Sequence, residues 1–419
     1  MKRVLVVDDN KTILMRVRIE LEKYDWIEPI YAQSYKEAMR IIRGNHNNIQ
    51  AAILDYNLPD AQTGQVIELA NAHDIQAVIL TGTLDEHVQD LVLKNSVTNF
   101  VLKNQGDSIA SAVTSVIKIL NNYDCTALIV DDSEMYRKAF KESLGRMHIK
   151  SLEAKDGEEA LDIIKEKGDE ISFVITDYEM PKMDGLALTL AIRELYSKAE
   201  LSIIAVSSSE KEDITNKFLK FGANDFIYKP FTRSELSTTV NSNLETLDLF
   251  KQVRDMANKD FLTGAYNRRY FFDSGTAICL KAKRKNAPLA VVMLDIDKFK
   301  NINDTYGHDV GDMAIREIKR VLDENLRASD LMARFGGEEF CILLEDITLE
   351  DTQALFEKIR KCFEENVIDI GETSISYTVS LGIEYGMADS LEEMVRLSDE
   401  ALYYAKENGR NQVKINTTK

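Results

Sequence analysis

Proline, histidine and tryptophan are scarce in this 419-residue chain, at five, five and one residues. So little proline excludes collagen-like and proline-rich disordered architectures. The cysteines Cys125, Cys279, Cys341 and Cys362 lack any metal or redox spacing, which predicts reduced thiols in a cytoplasmic setting. Long apolar runs are also missing. Ala290–Leu294 is far short of the roughly 20 residues that span a bilayer, which predicts no membrane insertion. The opening Met1-Lys2-Arg3-Val4-Leu5-Val6-Val7-Asp8 reaches its first acid too soon for a secretory leader. Nor is there an excess of positive charge. With 52 Lys and Arg against 70 Asp and Glu, the net charge of −18 argues against a nucleic-acid partner. What remains, 44% hydrophobic and 29% charged, is an ordinary globular composition at a length that suggests about three domains.

The chain contains an internal duplication. Val4-Leu-Val-Val-Asp8-Asp9 returns as Ala127-Leu-Ile-Val-Asp131-Asp132, each a short apolar run ending in two acids. A second run ends in Asp55 and in Asp177, and a third in the hydroxyls of Thr81 and Ser207. The fourth run carries Phe100 or Phe226 and leads to Lys103 or Lys229. From hydroxyl to lysine the spacing is 22 residues in both copies (103 − 81 and 229 − 207). Helix-period segments such as Thr12–Lys23 and Glu134–Met147 separate the runs, so strands and helices alternate. That order predicts a parallel sheet covered on both faces, with its site at the carboxyl ends of the strands. Clustered carboxylates there suit Mg²⁺, and an aspartate can attack a phosphoryl group while hydroxyl and lysine hold its oxygens.

These residues resemble the response-regulator receiver family, over residues 1–123 and again over 124–240. The resemblance implies two doubly wound (βα)5 flavodoxin-like domains, one Mg²⁺ per phosphorylatable receiver, and a histidine kinase or phosphotransfer protein as partner. It makes Asp55 and Asp177 the phosphoacceptors and assigns metal to Asp8, Asp9 and Asp55 and to Asp131, Asp132 and Asp177. Thr81, Lys103, Ser207 and Lys229 become switch residues, with Phe100 and Phe226 at the aromatic switch position. The second copy keeps Asp177-Tyr-Glu-Met-Pro-Lys-Met-Asp-Gly185 and Lys229-Pro230. The first departs, with Lys103-Asn104 and Gln62-Thr63-Gly64. For either copy the alternative is an adaptor that only mediates contacts.

Residues 241–258 read as a helical linker. Leu236, Val240, Leu244, Leu247, Phe250, Val253 and Ala257 recur three or four apart. The first turns should pack on their own sheet, and the continuation fits a stalk that pairs with a second copy.

Residues 259–419 change character. Asp260-Phe-Leu-Thr-Gly264 and Asn267-Arg268-Arg269 open the module, and a buried strand, Leu289–Leu294, ends in Asp295-Ile296-Asp297. After a polar loop, Val310–Leu326 reads as a helix. Leu331–Phe335 and Phe340–Leu344 flank Gly336-Gly337-Glu338-Glu339 as a hairpin. Helix Leu349–Glu364, strand Ser374–Glu384 and helix Leu391–Asn408 complete a β-α-β-β-α-β order. A strand-end Asp295 and a turn Glu338 could share metal, and two metals suit in-line attack on a phosphate. The glycines let a nucleotide approach the main chain closely.

This module resembles the GGDEF family, in the variant spelled Gly-Gly-Glu-Glu-Phe. The resemblance implies an α+β nucleotidyl-cyclase-like domain with a central, mostly antiparallel sheet, and diguanylate cyclase activity. GTP is the implied substrate, cyclic di-GMP the product, and two Mg²⁺ the cofactor. Asp295, the Ile296 carbonyl and Glu338 would hold metal, and Glu338 or Glu339 would help deprotonate the attacking 3′-hydroxyl. Lys300, Lys406 and Arg410 would face the triphosphate, which an acidic domain requires. Phe299, Gly336 and Gly337 would line the GTP site, with Asn303 and Asp312 reading guanine. His308 fits the pattern too, or is a structural loop histidine. One domain holds one GTP, so closing a twofold-symmetric product needs a homodimer. Arg327-x-x-Asp330 matches the family's product-inhibition site, and Lys358 or Arg360 would supply a second contact. The alternative is a catalytically inactive domain that binds cyclic di-GMP or GTP. A transcriptional regulator is disfavoured because no basic helix-turn-helix is left over.

Overall fold

In the computed structural model, residues 1–44, 48–62, 64–82, 97–103, 107–208, 212–285, 287–370, 374–387 and 389–417 are described. Thr63 and Asn104, two of the departures of the first copy, lie outside them. The chain divides into two compact units, Met1–Phe250 and Lys251–Lys419.

The first unit holds two five-stranded parallel sheets of the same order. In one, β1 (Lys2–Val7), β2 (Ile27–Ala32), β3 (Ile49–Asp55), β4 (Gln76–Thr81) and β5 (Val97–Leu102) run 2-1-3-4-5. In the other, β6 (Thr126–Val130), β7 (Lys150–Ala154), β8 (Phe173–Asp177), β9 (Ser202–Ser207) and β10 (Asp225–Tyr228) run 7-6-8-9-10. Alternate residues of each strand enter opposite cores, as the period of two requires. Leu5 and Val7 face one cluster of the first sheet, and Val4 and Val6 the other. Every pairing is parallel, so all strand ends that carry acids meet along one edge. The main-chain amides of Lys103 and Lys229 donate to the carbonyls of Thr81 (2.8 Å) and Ser207 (2.9 Å). The two lysines thus occupy the same place beside their hydroxyl residues. Between the sheets, the Gln76 amide donates to the Arg146 carbonyl (2.9 Å) and Tyr123 stacks on His148.

The helix Arg233–Asn258 packs on the second sheet through Leu236, Val240 and Asn243. Asn243 is pinned there, accepting from Ser202 Oγ (2.7 Å) and donating to Asp225 (3.0 Å). Farther along, Leu249, Phe250, Val253 and Met256 are exposed.

The second unit is built on β11 (Tyr266–Asn267), β12 (Leu289–Ile296), β13 (Leu331–Gly336), β14 (Glu339–Glu345), β17 (Val379–Gly386) and β18 (Val413–Thr417). Its order is 11-13-14-12-17-18, antiparallel in the middle and parallel at both edges. A two-stranded piece, β15 (Ile368–Asp369) with β16 (Ser374–Ile375), stands apart. The structure differs from the sequence pattern at two places. The loop after Asp297 contains a helix, Phe299–Tyr306, that buries Ile302. Its apolar content is too small for a periodic signal. The strand expected over Ser374–Glu384 is divided, because Ile375 and Val379 belong to different sheets. β18 had no sequence signal and pairs in parallel with β17.

Even-numbered Val292, Leu294 and Ile296 of β12 pack under the helices His308–Asn325 and Leu349–Glu365. Odd-numbered Leu289, Val291 and Met293 pack under Arg268–Lys285 and Leu391–Glu407. At Gly382 the backbone of the last helix lies directly on β17. A Cβ there would overlap the Leu402 amide and the Ser398 carbonyl, both main-chain atoms that cannot rotate away. Gly382→Ala should therefore destabilise the second unit by about 2 kcal/mol or more, read as a lowered midpoint of its thermal transition.

Candidate functional site

Acids and one lysine meet at the strand ends of both parallel sheets. Carboxylate oxygens of Asp8, Asp9 and Asp55 lie within 4.8 Å of one another, as do those of Asp131, Asp132 and Asp177. Lys103 Nζ bridges Asp8 (2.8 Å) and Asp55 (2.7 Å), and Lys229 Nζ bridges Asp131 (2.6 Å) and Asp177 (2.8 Å). Burial pushes the Asp55 and Asp177 carboxyls up, against the pull of their lysines. Burial works against charge on the lysines as well, yet the paired carboxylates raise both. Three acids against one lysine leave excess negative charge on hard oxygen donors, a set that fits a divalent cation. Thr81 and Ser207 are buried at the ends of β4 and β9, and the Lys229–Pro230 bond is cis. The clusters also differ outside the motifs: the ring centre of Tyr136 lies 4.1 Å from Lys229 Nζ, where the first copy has Ile13.

In the second unit the odd face of β12 leads outward to Asp295. Its carboxylate is 4% exposed and 2.8 Å from Lys406 Nζ, on the last helix. The register pairs Leu294 with Phe340, so Asp295 emerges beside the turn that carries Glu338 and Glu339. Burial pushes the Asp295 carboxyl up to about 6; Lys406 opposes this, and the negative charges of Glu338 and Glu339 add to it. Glu339 is also raised, chiefly by burial. A buried Asp295 repelled by the half-buried Glu338 and Glu339, with one lysine beside it, fits the binding of Mg²⁺ by Asp295, Glu338 and the Ile296 carbonyl.

Gly336 and Gly337 have open space where side chains would stand, and Gly337 takes a left-handed φ of 53°. Arg334, which the motifs did not single out, holds this turn. Its Nε and Nη2 donate to the Gly337 carbonyl (2.9 and 2.7 Å), and its Nη1 to Asp260 (2.9 and 3.0 Å). Asp260 also accepts from the amide and hydroxyl of Thr263. The opening Asp-x-Leu-Thr motif thus braces the glycine turn. Asn267 and Arg269 both donate to the Ala257 carbonyl, closing the end of the helix Arg233–Asn258.

Phe299, Lys300 and Asn303 share the helix Phe299–Tyr306, and His308 and Asp312 begin the next one. Asn303 Oδ1 is buried without a hydrogen-bond partner, and a Cβ at Gly311 would collide with it. Arg410 stands on the turn after the last helix. Arg327 and Asp330 meet through the main chain: the Arg327 amide donates to the carboxylate (2.8 Å) and the arginine remains exposed. Arg360 is committed to Glu357, Glu364 and Asn411, so its surroundings are those of a brace rather than of an open ligand contact.

Burial raises the Asp260 carboxyl, but hydrogen bonds from Arg334 and Thr263 outweigh it and leave the group below the usual carboxylate range. A lowered folded value stabilises the fold above the unfolded value and loses that contribution as pH falls through the folded one. The stability advantage over Asp260→Asn should be full near neutral pH. It should shrink below about pH 4, measured as the difference between chemical-denaturation midpoints.

Residues 257–412 match the family described as "Diguanylate cyclase, GGDEF domain", and residues 127–241 match "Response regulator receiver domain". The chain is 32% identical over 297 residues to "Response regulator PleD" of Caulobacter vibrioides, covering 68% of this chain and 64% of that protein. It is 34% identical over 186 residues to "Diguanylate cyclase DosC" of Escherichia coli, covering 43% of this chain and 40% of that protein. Among solved structures, the "active GGEEF domain of a diguanylate cyclase from Vibrio cholerae" is 34% identical with a TM-score of 0.35, covering 36% of this chain and 98% of that one. The chain thus spans under two thirds of the curated relatives named here. It joins a response-regulator receiver domain to a C-terminal GGDEF domain.

Proposed function

We propose that this chain is a response-regulator diguanylate cyclase that converts two GTP into cyclic di-GMP and two diphosphates. The observation that carries the reading is the buried Asp295 carboxylate, facing Lys406 beside Glu338 and Glu339 at an open glycine turn. Mg²⁺ bound by Asp295, Glu338 and the Ile296 carbonyl would polarise the α-phosphate and neutralise charge on the leaving diphosphate. Gly336 and Gly337 give the nucleotide access to the main chain, and Lys300, Lys406 and Arg410 supply the cations that orient the triphosphate. Asn303, with its unpartnered carbonyl oxygen, and Asp312 read guanine. The 3′-hydroxyl of one GTP attacks the α-phosphorus of the other. Its proton passes to Glu338 or Glu339, and the bond to diphosphate breaks. The same exchange in the other direction closes the ring, so two copies must face each other.

Regulation follows from the first unit. Two receiver domains, over 1–123 and 124–240, accept phosphate at Asp55 and Asp177, each beside a lysine that can neutralise it. Retention of the acids, lysine and buried hydroxyl in both copies favours this over an adaptor role for either. Exposed Leu249, Phe250, Val253 and Met256 support pairing of the helix with a second copy. The exposed Arg327 with Asp330 supports product inhibition there, where a guanidinium can stack on guanine.

The purified chain with Mg²⁺ and GTP should form cyclic di-GMP, and Asp295→Asn and Glu338→Gln should each cut the rate roughly a thousandfold or more. Absence of product from the wild-type chain at any protein concentration, with or without beryllofluoride, would overturn the reading. After treatment with acetyl phosphate, mass spectrometry should find two phosphoryl groups, one lost in Asp55→Asn and the other in Asp177→Asn. Arg327→Ala should retain turnover while cyclic di-GMP no longer slows it.

A further inference from the structure

The two acids of Asp295-Ile296-Asp297 have opposite surroundings. Asp295 has its lysine partner and repelling neighbours, whereas the carboxylate of Asp297 is filled by neutral donors. Its Oδ1 accepts from Ser380 Oγ (2.6 Å), and its Oδ2 accepts from Thr378 Oγ1 (2.7 Å) and from the Asn411 amide (2.9 Å). Asp297 is buried, and its own amide donates to the Thr378 carbonyl (2.9 Å). Both oxygens are thus held by protein donors, which fixes this carboxylate inside the fold.

The Asn411 amide belongs to an unusual turn. Gly409, Arg410 and Asn411 have φ of 113°, 63° and 44°, so two side-chain-bearing residues in succession adopt the left-handed region. Such a pair persists only where its surroundings over-determine it. Here they do. Arg410 N donates to the Ala405 carbonyl (3.0 Å), and Asn411 Oδ1 accepts from Arg360 (2.7 Å). Asn411 Nδ2 donates to Glu364 (2.8 Å), and Asp297 holds the main chain. The helix ahead of the turn carries Lys406 in its last turn, and its ammonium reaches Asp295. One acid of the motif therefore grips this segment through Lys406, and the other grips it just past Arg410.

We propose that Asp297 is a positioning residue for the nucleotide's triphosphate. It locks the Gly409–Asn411 turn so that Arg410 is held toward the phosphate-binding end of the sheet, and it takes no part in holding metal. The inference rests on the GTP reading above.

The test is a double-mutant cycle on the full chain, with Mg²⁺ and the unreactive guanosine 5′-(α,β-methylene)triphosphate, binding being measured by calorimetry. Asp297→Ala and Arg410→Ala should each weaken the analogue about tenfold, and the double variant should be no weaker than the poorer single one, because one acts through the other. Guanosine monophosphate, which lacks the outer phosphates, should bind all three as it binds wild type. Asp297→Asn keeps an acceptor for the Asn411 amide and should recover most of the lost affinity. If Asp297→Ala does not fold, Thr378→Val with Ser380→Ala loosens the same carboxylate and should weaken the triphosphate analogue selectively. Additive losses, equal losses for the monophosphate, or unchanged analogue binding would overturn the proposal while leaving the GTP site standing. A wild-type chain that binds no analogue would instead overturn the GTP reading, and this inference with it.

Discussion

The contact between Asp295 and Lys406 joins the central strand of the second unit to its last helix, and the candidate site depends on it. A carboxylate 4% exposed is costly unless opposite charge or strong donors surround it. One ammonium offsets part of that cost, while Glu338 and Glu339 add to it by repulsion. A site in this condition gains from a divalent cation and an anionic ligand arriving together. Much of the surrounding structure serves to keep the pieces near: Arg334 and Asp260 brace the glycine turn, and Gly382 admits the helix that carries the lysine.

The first unit repeats this electrostatic arrangement on unrelated topology. Each parallel sheet gathers three acids at its strand ends and answers them with a single lysine. The lysine comes from the strand next to the hydroxyl residue, and main-chain pairing keeps the two side by side. Tyr136 against Ile13 is a difference in wall rather than in chemistry: among the described residues, an aromatic face lies over the ammonium in the second cluster and not in the first.

How much was legible varied with range. The parallel strands and their acids could be read from apolar runs ending in Asp, because a buried strand needs such a run and its carboxyl end is where polar residues begin. The candidate site was legible at Asp295, Glu338, Lys406 and the twin glycines, whose residue types carry their chemistry openly. Arg334 was not, since an arginine on a half-buried strand has many ordinary uses and its grip on Gly337 and Asp260 needs a bulge and a distant loop to meet. The helix Phe299–Tyr306 and strand β18 leave no clear trace in the sequence either. Each is too short or too polar to announce its period, and each forms because a neighbour accepts it.

The duplication, the alternation of strands and helices, and the acids and lysines suited to metal and phosphate are legible in the sequence. These follow from side-chain chemistry and local periodicity, which are written along the chain. Tertiary structure alone decided which of two acids spaced two apart faces the site and which is satisfied inside. Asp295 and Asp297 look alike in sequence, but Lys406 approaches one while Thr378, Ser380 and the Asn411 amide converge on the other. Those partners come from segments about 80 to 115 residues away, and no local pattern records where they arrive.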